Sequence, residues 1–400
     1  MTERDDPLLE WRSEFPILAR TNYLINNSLG AMPRGVYDSL RAYADTWASR
    51  GIRAWSEGWW EMSITVGDRI GALIGAAPGT VSIHPNISLA TGILLSALDF
   101  VPPRNRVVIE AGIFPSVYYV LRGMLPPAAE LITVPSPDGG HTVDAGRVAD
   151  AIDERTRLVL VSHVLFRSAA ILDVAAVAAR ARRMGALSIV DGYHATGIVP
   201  VDVGATGADF YLSGVLKWMC GGPGGVFLHA RPEHLRTLRP GLTGWMAHRR
   251  PFDFEVAEIE YRDDAGRLLN GTPSIPCLYA IQPGIDVIAA VGVGRIREKS
   301  QRQTATIVEH AARRGWSVRS PLDPAARGGT VVVDPPHAYE VSRELIARGI
   351  LVDYRQGSGI RISPHFYNTD GEVLAALAAI DEILEDGAWR RHEARRDFVT

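Results

Sequence analysis

Lys217 sits in YLSGVLKWMCGGPGGVFL (211–228) and is one of only two lysines among the 42 lysine and arginine residues of the chain; the other, Lys299, lies in the polar run IREKS. A genome-wide bias toward arginine accounts for the scarcity of lysine, but not for the place of this one. A guanidinium keeps its charge at any accessible pH, whereas a desolvated ammonium can lose its proton and attack a carbonyl. Lys217 is therefore a candidate nucleophile inside an apolar, glycine-rich stretch. Other reactive side chains close apolar runs. Ser162 and His163 follow LVLV, Asp191 and His194 follow LSIV, and Ser213 follows DFYL shortly before Lys217. Alone, Asp191 reads as a turn cap and His194 as a satisfied buried histidine. Together, an acid, a histidine, a serine and a lysine at consecutive run ends form a set that can hold and activate a carbonyl cofactor.

The elements that must position this set are short runs rich in valine and isoleucine, alternating with helical patterns: RVVIE (106–110), LITV (131–134), LVLVS (158–162), LSIVD (187–191), DFYLS (209–213) and GVFLH (225–229). Such alternation predicts an α/β fold, a mostly parallel sheet covered by helices on both faces, with active-site residues beyond the carboxyl ends of the strands. LDVAAVAARARRMGA (172–186) has apolar residues at helical spacing and ends at Gly185, as a crossover helix should. Beyond NGTPSIP (270–276) come a long helical pattern to about residue 314, then TVVV, HAYEVSRELIARG, ILVDYR, IRIS and a last helix from about Asp370. The expected organisation is a large domain over 20–270 and a small α+β domain over 271–400 together with 1–19.

Composition narrows the function. The chain has 400 residues, 46% hydrophobic and 22% charged, with net charge −3, which suits a globular protein with ample core. Interspersed charges of both signs offer no footprint for nucleic acid, and no basic amphipathic stretch points to a membrane. No run approaches the roughly 20 apolar residues that span a bilayer, and MTERDDPLLEWRSEF lacks an apolar signal core. A cytoplasmic protein with a small-molecule partner is expected. Cys220 and Cys277 make neither a metal-ligand spacing nor a disulfide framework, so no metal is expected. A nicotinamide site would need a glycine motif between a strand and a helix, whereas CGGPGG precedes a strand.

One chemistry needs the whole set: a lysine holding pyridoxal 5′-phosphate as a Schiff base, with a carboxylate on the pyridine nitrogen so that the ring acts as an electron sink. The phosphate then requires backbone amides at a helix start, which PNISLATGILLSAL (85–98) offers around Ile87 and Ser88. Phe114, in GIFPS just after the run 106–110, is placed to cover the ring.

The sequence also resembles the class V aminotransferase family of fold-type I pyridoxal-phosphate enzymes, and within it the kynureninases. The likeness runs from about residue 20 to 380, through YLINNSLGAMP (23–33), GIFPS, SHV (162–164), VDGYHATGIVPVDV (190–203), LKWMCGGPGG (216–225), GWMAHRRPFDF (244–254), NGTPSIP and GIRISPHFYNT (359–369). It implies a large domain with a mostly parallel seven-stranded sheet, plus a small C-terminal α+β domain. Lys217 would form the internal aldimine, Asp191 would pair with the pyridine nitrogen, His194 would sit near the ring, and Ser162 would lie by its polar edge. Ile87, Ser88, Trp245 and Thr272 would serve the phosphate, some of these contacts reaching across a homodimer interface. Arg361 would grip the substrate α-carboxylate with Asn27 nearby.

Three positions depart from the family. Leu216 stands where kynureninases have tyrosine before the lysine, Val117 replaces an aspartate, and Phe166-Arg167-Ser168-Ala169-Ala170 replaces a Tyr-x-Thr-Gly pattern. The expected enzyme acts on an L-amino acid through an aldimine and a quinonoid and cleaves a bond at Cβ, by kynureninase-like hydrolysis or carbon–sulfur elimination. Transamination, epimerisation and decarboxylating deamination are the alternatives within the family. A non-catalytic pyridoxal-binding regulator would need an added DNA-binding segment before the enzyme-like region.

Overall fold

The structure, a computed structural model, describes residues 6–393. Residues 1–5 and 394–400, assigned to the small domain by sequence, lie outside the described residues. The strands in chain order are β1 (Asn22–Tyr23), β2 (Val81–His84), β3 (Arg106–Glu110), β4 (Glu130–Val134), β5 (Thr156–Ser162), β6 (Leu187–Asp191), β7 (Phe210–Gly214), β8 (Val226–Ala230), β9 (Ser317–Val318), β10 (Val331–Asp334), β11 (Ile350–Leu351), β12 (Asp353–Arg355) and β13 (Gly359–Ile362). Seven of them form one sheet in the order β2-β8-β7-β6-β5-β3-β4; β8 runs antiparallel to both its neighbours and the remaining pairs are parallel.

Apolar alternation on both faces explains why this sheet is covered twice. Val108, Val159 and Val161 face one core with the helices Met62–Leu73, Val174–Arg183 and Gln282–Val291, while Val107, Ile109, Leu158 and Leu160 face a second core with Ile87–Ser96 and Pro115–Met124. The crossover helix begins at Asp173, whose carboxylate accepts the Ala176 N–H at 3.0 Å, and the chain leaves it through Gly185 at φ 67°. β2, reading VSIH, is not foreseen as a strand because two of its four residues are polar. Buried Ser82 and His84 satisfy each other at 2.9 Å and so tolerate a place in the sheet. The long helical pattern after residue 274 resolves into Ile275–Ala280, Gln282–Val291 and Val293–Arg314, interrupted near Pro283 and at Gly292.

A second, four-stranded antiparallel sheet has the order β12-β13-β10-β9 and shares a core with Val293–Arg314, Ala338–Ala347 and Asp370–Asp386. Ile275, Leu278, Ile281 and Ile285, on the far side of the residue 270 boundary, pack into the large-sheet core. The N-terminal segment is bound to the C-terminal part. β1 pairs in parallel with β11, and Arg12 clasps Glu372 at 2.6 and 2.9 Å. Lys299, whose run reads as surface, is instead buried, paired with Asp6 at 2.7 Å and donating to the Phe366 carbonyl at 2.6 Å. Among the described residues no single helix is long and apolar enough to cross a membrane, and no group of three or more histidine, cysteine, aspartate or glutamate side chains could hold a metal.

Candidate active site

Strand register builds the site. Asp191 closes β6 directly beside Ser162 of β5 and Leu212 of β7, so the ends of three strands share one rim. Lys217 lies in the turn that follows β7, where its carbonyl accepts the Cys220 N–H at 3.0 Å and Leu216 accepts the Gly30 N–H at 2.9 Å. A Cβ on Gly30 would fall 2.0 Å from the Lys217 carbonyl oxygen. The glycine of NSLG thus permits the N-terminal segment to touch the backbone of the lysine.

One cavity of about 220 Å³ collects Ile87, Ser88, Phe114, Ser162, Asp191, His194 and Lys217. These residues arrive from several strand ends and one helix start: Phe114 after β3, Ser162 at the end of β5, Asp191 at the end of β6 with His194 just beyond it, Lys217 after β7, and Ile87 and Ser88 from the start of the Ile87–Ser96 helix. Lys217 Nζ shares a 2.6 Å hydrogen bond with His194 Nε2 and lies 5.8 Å from the Phe114 ring centroid. Burial, reinforced by the positive charge of Arg361, lowers the Lys217 pKa to about 7, while the Asp191 carboxylate opposes that fall. Burial also raises Asp191 to about 6, against the pull of the Tyr193 N–H and Lys217. His194 is pushed well below its ordinary value by burial and by the cations around it, so its imidazole is neutral near pH 7. The result is an amine whose burial favours its neutral, nucleophilic form, in one cavity with a carboxylate that burial holds above its ordinary range.

Arg361 is buried beside this cavity, its guanidinium bonded to Asp353 and to the Phe166 carbonyl at 2.9 Å. Burial lowers its pKa to about 9, still a cation at neutral pH. Asn27 is fully buried and reaches the site through this arginine. With its amide turned to satisfy both ends, it accepts from Arg361 Nε at 2.9 Å and donates to Ser363 Oγ at 2.8 Å. Trp245 and Thr272 lie elsewhere, on a cavity of about 650 Å³ with Trp55, Trp60 and Phe252. The chain does not bring them to Lys217.

The structure adds residues that sequence reasoning missed. Tyr193 lines the cavity with its ring centroid 4.8 Å from Lys217 Nζ, and its place between Asp191 and His194 was the available signal. Glu110 ends β3 as Asp191 ends β6. It is fully buried, its Oε1 accepts the Ser162 N–H at 3.1 Å, and burial raises its pKa to about 7. Asp353 and Arg355 alternate along β12 opposite Arg361, which puts all three on one face of the small sheet. Arg355 lies 3.1 Å from Asp353.

The three departures differ in reach. Leu216 lines the cavity, whereas Val117 is buried in the large-sheet core. In the 168–170 turn, Ser168 Oγ donates to the His141 carbonyl at 2.6 Å and Ala169 takes a φ of 61°.

The donor set suits pyridoxal phosphate. Lys217 supplies a carbonyl-reactive amine and Asp191 a buried carboxylate for a protonated ring nitrogen. Asn86 caps the Ile87–Ser96 helix by accepting the Leu89 N–H at 2.9 Å. The amides of Ile87 and Ser88, first in that helix, have no intrahelical acceptor and favour an anion.

Comparison with known proteins agrees. The profile of the family described as Aminotransferase class-V matches residues 127–375. The chain is 33% identical to a kynureninase of Burkholderia pseudomallei (strain 1106a), covering 100% of this chain and 98% of that protein. It is 32% identical to a kynureninase of Pseudomonas fluorescens, over 97% and 95% of the two chains. Among solved structures it is similar to an apo cysteine desulfurase from Thermococcus onnurineus NA1 (TM-score 0.82, 20% identity, 94% and 98% covered). It is also similar to a cystine C-S lyase in complex with cysteine persulfide, its reaction product (TM-score 0.80, 19% identity, 92% and 98% covered). Fold, buried lysine and full-length relatives converge: the chain belongs to the class V aminotransferase family and is a pyridoxal-phosphate-dependent enzyme.

Proposed function

We propose that the enzyme cleaves a bond at Cβ of an L-amino acid, with Lys217, Asp191 and His194 as its catalytic residues. The observation that carries the reading is the Lys217 amine, poised near pH 7 inside a cavity whose adjoining guanidinium, Arg361, is buried and fixed. Full-length likeness to kynureninases, which by their name act on kynurenine, supports cleavage at Cβ over other fates of the substrate.

Arg361 would take the α-carboxylate by exchanging bonds it now makes to Asp353 and Phe166, and so would fix which face of Cα meets Lys217. Lys217 Nζ, neutral in its working form, removes the Cα proton; His194 Nε2, at 2.6 Å, holds the amine in place and shares its proton. Bound pyridoxal phosphate supplies the electron sink that lets the Cβ bond break. Asp191 would pair with the ring nitrogen and favour its protonated form, an attraction that burial at the β6 end strengthens. Phe114, Leu216, Val164 and Phe166 give the cavity an apolar wall suited to an uncharged side chain.

The working unit in this reading is a homodimer. Trp245 and Thr272 then serve the phosphate of the second copy, which accounts for their distance from Lys217 in their own chain. Trp245, Phe252 and Phe254 are exposed there, as an apolar surface awaiting a partner would be. The substrate is a small molecule, an amino acid, with no nucleic acid or membrane involved, and the setting is the cytoplasm.

Product analysis tests the reaction. Holoenzyme is incubated with kynurenine and with a panel of S-substituted cysteines. Alanine marks carbon–carbon hydrolysis, and pyruvate with ammonia marks carbon–sulfur elimination. A keto acid formed while the amino group stays on the cofactor, with neither of those products, would refute Cβ cleavage.

A further inference from the structure

Breaking a carbon–sulfur bond at Cβ is served by an acid as well as a base. In that elimination the electron pair of the bond departs on the sulfur, and a proton delivered to the departing thiolate speeds its loss. This inference rests on the proposed Cβ cleavage. Of the protic groups that line the cavity, Lys217 is engaged in removing the Cα proton, Asp191 is reserved for the ring nitrogen, and His194 is neutral with its Nε2 committed to Lys217. Ser88, Ser116 and Ser162 are aliphatic alcohols, far weaker acids than a phenol. Tyr193 remains.

Its geometry favours the role. The Tyr193 N–H donates to Asp191 Oδ1 at 2.9 Å, tying the residue to the floor of the site. Its ring occupies a slot that exists only because residue 214 lacks a side chain: a Cβ there would lie 2.0 Å from Cζ and 2.2 Å from the hydroxyl oxygen. The slot sets the face of the ring against the amine, whose Nζ lies 4.8 Å from its centroid, nearer than the 5.8 Å to the Phe114 ring, and sets the hydroxyl against Gly214 at the end of β7, on the rim that carries Lys217. Among the described residues the hydroxyl makes no hydrogen bond to protein, so its proton is uncommitted. Burial, with the nearby Asp191 charge adding, raises its pKa to about 12, and the phenol is fully protonated at neutral pH.

We propose that Tyr193 is a catalytic residue, the general acid that delivers a proton to the atom leaving Cβ. The Cβ bond breaks with its electron pair departing on the leaving atom. The Tyr193 O–H bond breaks with its pair staying on the phenolic oxygen, and the proton joins the departing pair. Solvent returns a proton to Tyr193 while Lys217 releases to solvent the one taken from Cα, so the cycle is neutral.

The test compares wild type with Tyr193→Phe on two substrates, S-ethyl-L-cysteine, whose thiolate needs a proton, and β-chloro-L-alanine, whose chloride needs none. We expect kcat for pyruvate release to fall 100-fold or more on the first and less than 5-fold on the second, within the range of general acid catalysis (about 10²–10⁴). Titration of the cofactor-free protein with pyridoxal phosphate, followed by absorbance, should give affinities within 2-fold for the two proteins. Equal losses on both substrates, or cofactor affinity weakened enough to explain the loss, would overturn the assignment and leave Tyr193 as a wall of the site. If wild type releases pyruvate from neither compound, the assignment falls too, while Cβ cleavage itself is judged separately by alanine release from kynurenine.

Discussion

Replacing Lys217 by methionine should make the cofactor-free protein more stable. Burial first, and the Arg361 charge second, carry the amine from its ordinary pKa of 10.5 to about 7. At about 1.4 kcal/mol for each tenfold displacement of a proton equilibrium, the charged ammonium costs the folded chain about 4–5 kcal/mol. Lys217 keeps partial contact with solvent through the cavity, and screening reduces the figure by about half, to roughly 2 kcal/mol. The pH dependence follows from linkage. Below pH 7 the lysine is charged in both folded and unfolded chains, and the penalty is complete. Between pH 7 and 10.5 the unfolded chain holds the extra proton, so wild-type stability climbs with pH and the advantage of the variant shrinks. Urea unfolding of both proteins without cofactor at pH 6.5 and pH 9 measures this, and the midpoints are comparable if the slopes match. We expect Lys217→Met to gain about 2 kcal/mol at pH 6.5 and about 1 kcal/mol at pH 9, on the same linkage. No gain at pH 6.5, or an equal gain at both, would refute the claim that an electrostatically strained amine is built into the site.

Arg361→Gln should raise KM for the amino-acid substrate by about 10- to 100-fold, the worth of a charge-assisted bond, without loss of cofactor affinity; steady-state kinetics and absorbance titration separate the two. The rate at which cofactor attaches covalently to apoprotein should rise with pH around a midpoint of about 7, set by the Lys217 pKa. Because Arg361 depresses that pKa, Arg361→Gln should move the midpoint upward, which stopped-flow absorbance would read. Mixing a Lys217→Ala chain with a Thr272→Ala chain should restore activity that neither has alone, since one site of each hybrid dimer is intact; no recovery after verified exchange would rule out shared sites.

Much of this was legible from sequence because parallel strands announce themselves. RVVIE and LSIVD become β3 and β6 with the same bounds, and the polar residues closing such runs meet on one rim because the strands share direction. What escaped reading depends on tertiary contact. VSIH carries a polar pair that only its mutual hydrogen bond makes acceptable in a sheet. IREKS looks like surface, yet Lys299 is buried because Asp6, 293 residues earlier in the chain, neutralises it. Glu110 and Tyr193 stood at strand ends already under scrutiny, but their reach into the site depends on register and on a missing Cβ at residue 214. Asn27, expected near the substrate carboxylate, braces Arg361, a contact that no spacing in the sequence reveals.

The touch of Gly30 on the Lys217 carbonyl bears on how the protein is made. Ile25 bridges to Ser363, Asn26 donates to the Ser363 carbonyl at 2.8 Å, and Asn27 braces Arg361. Residues near the start of the chain therefore wait for residues near its end before they can settle against the lysine between them. A nascent chain that has already emerged with Lys217 still lacks the β13 partners of that clasp. This frame around the lysine accordingly forms only once the chain through Ser363 is available, and a product terminated before β13 would carry the reactive lysine without the frame that directs it.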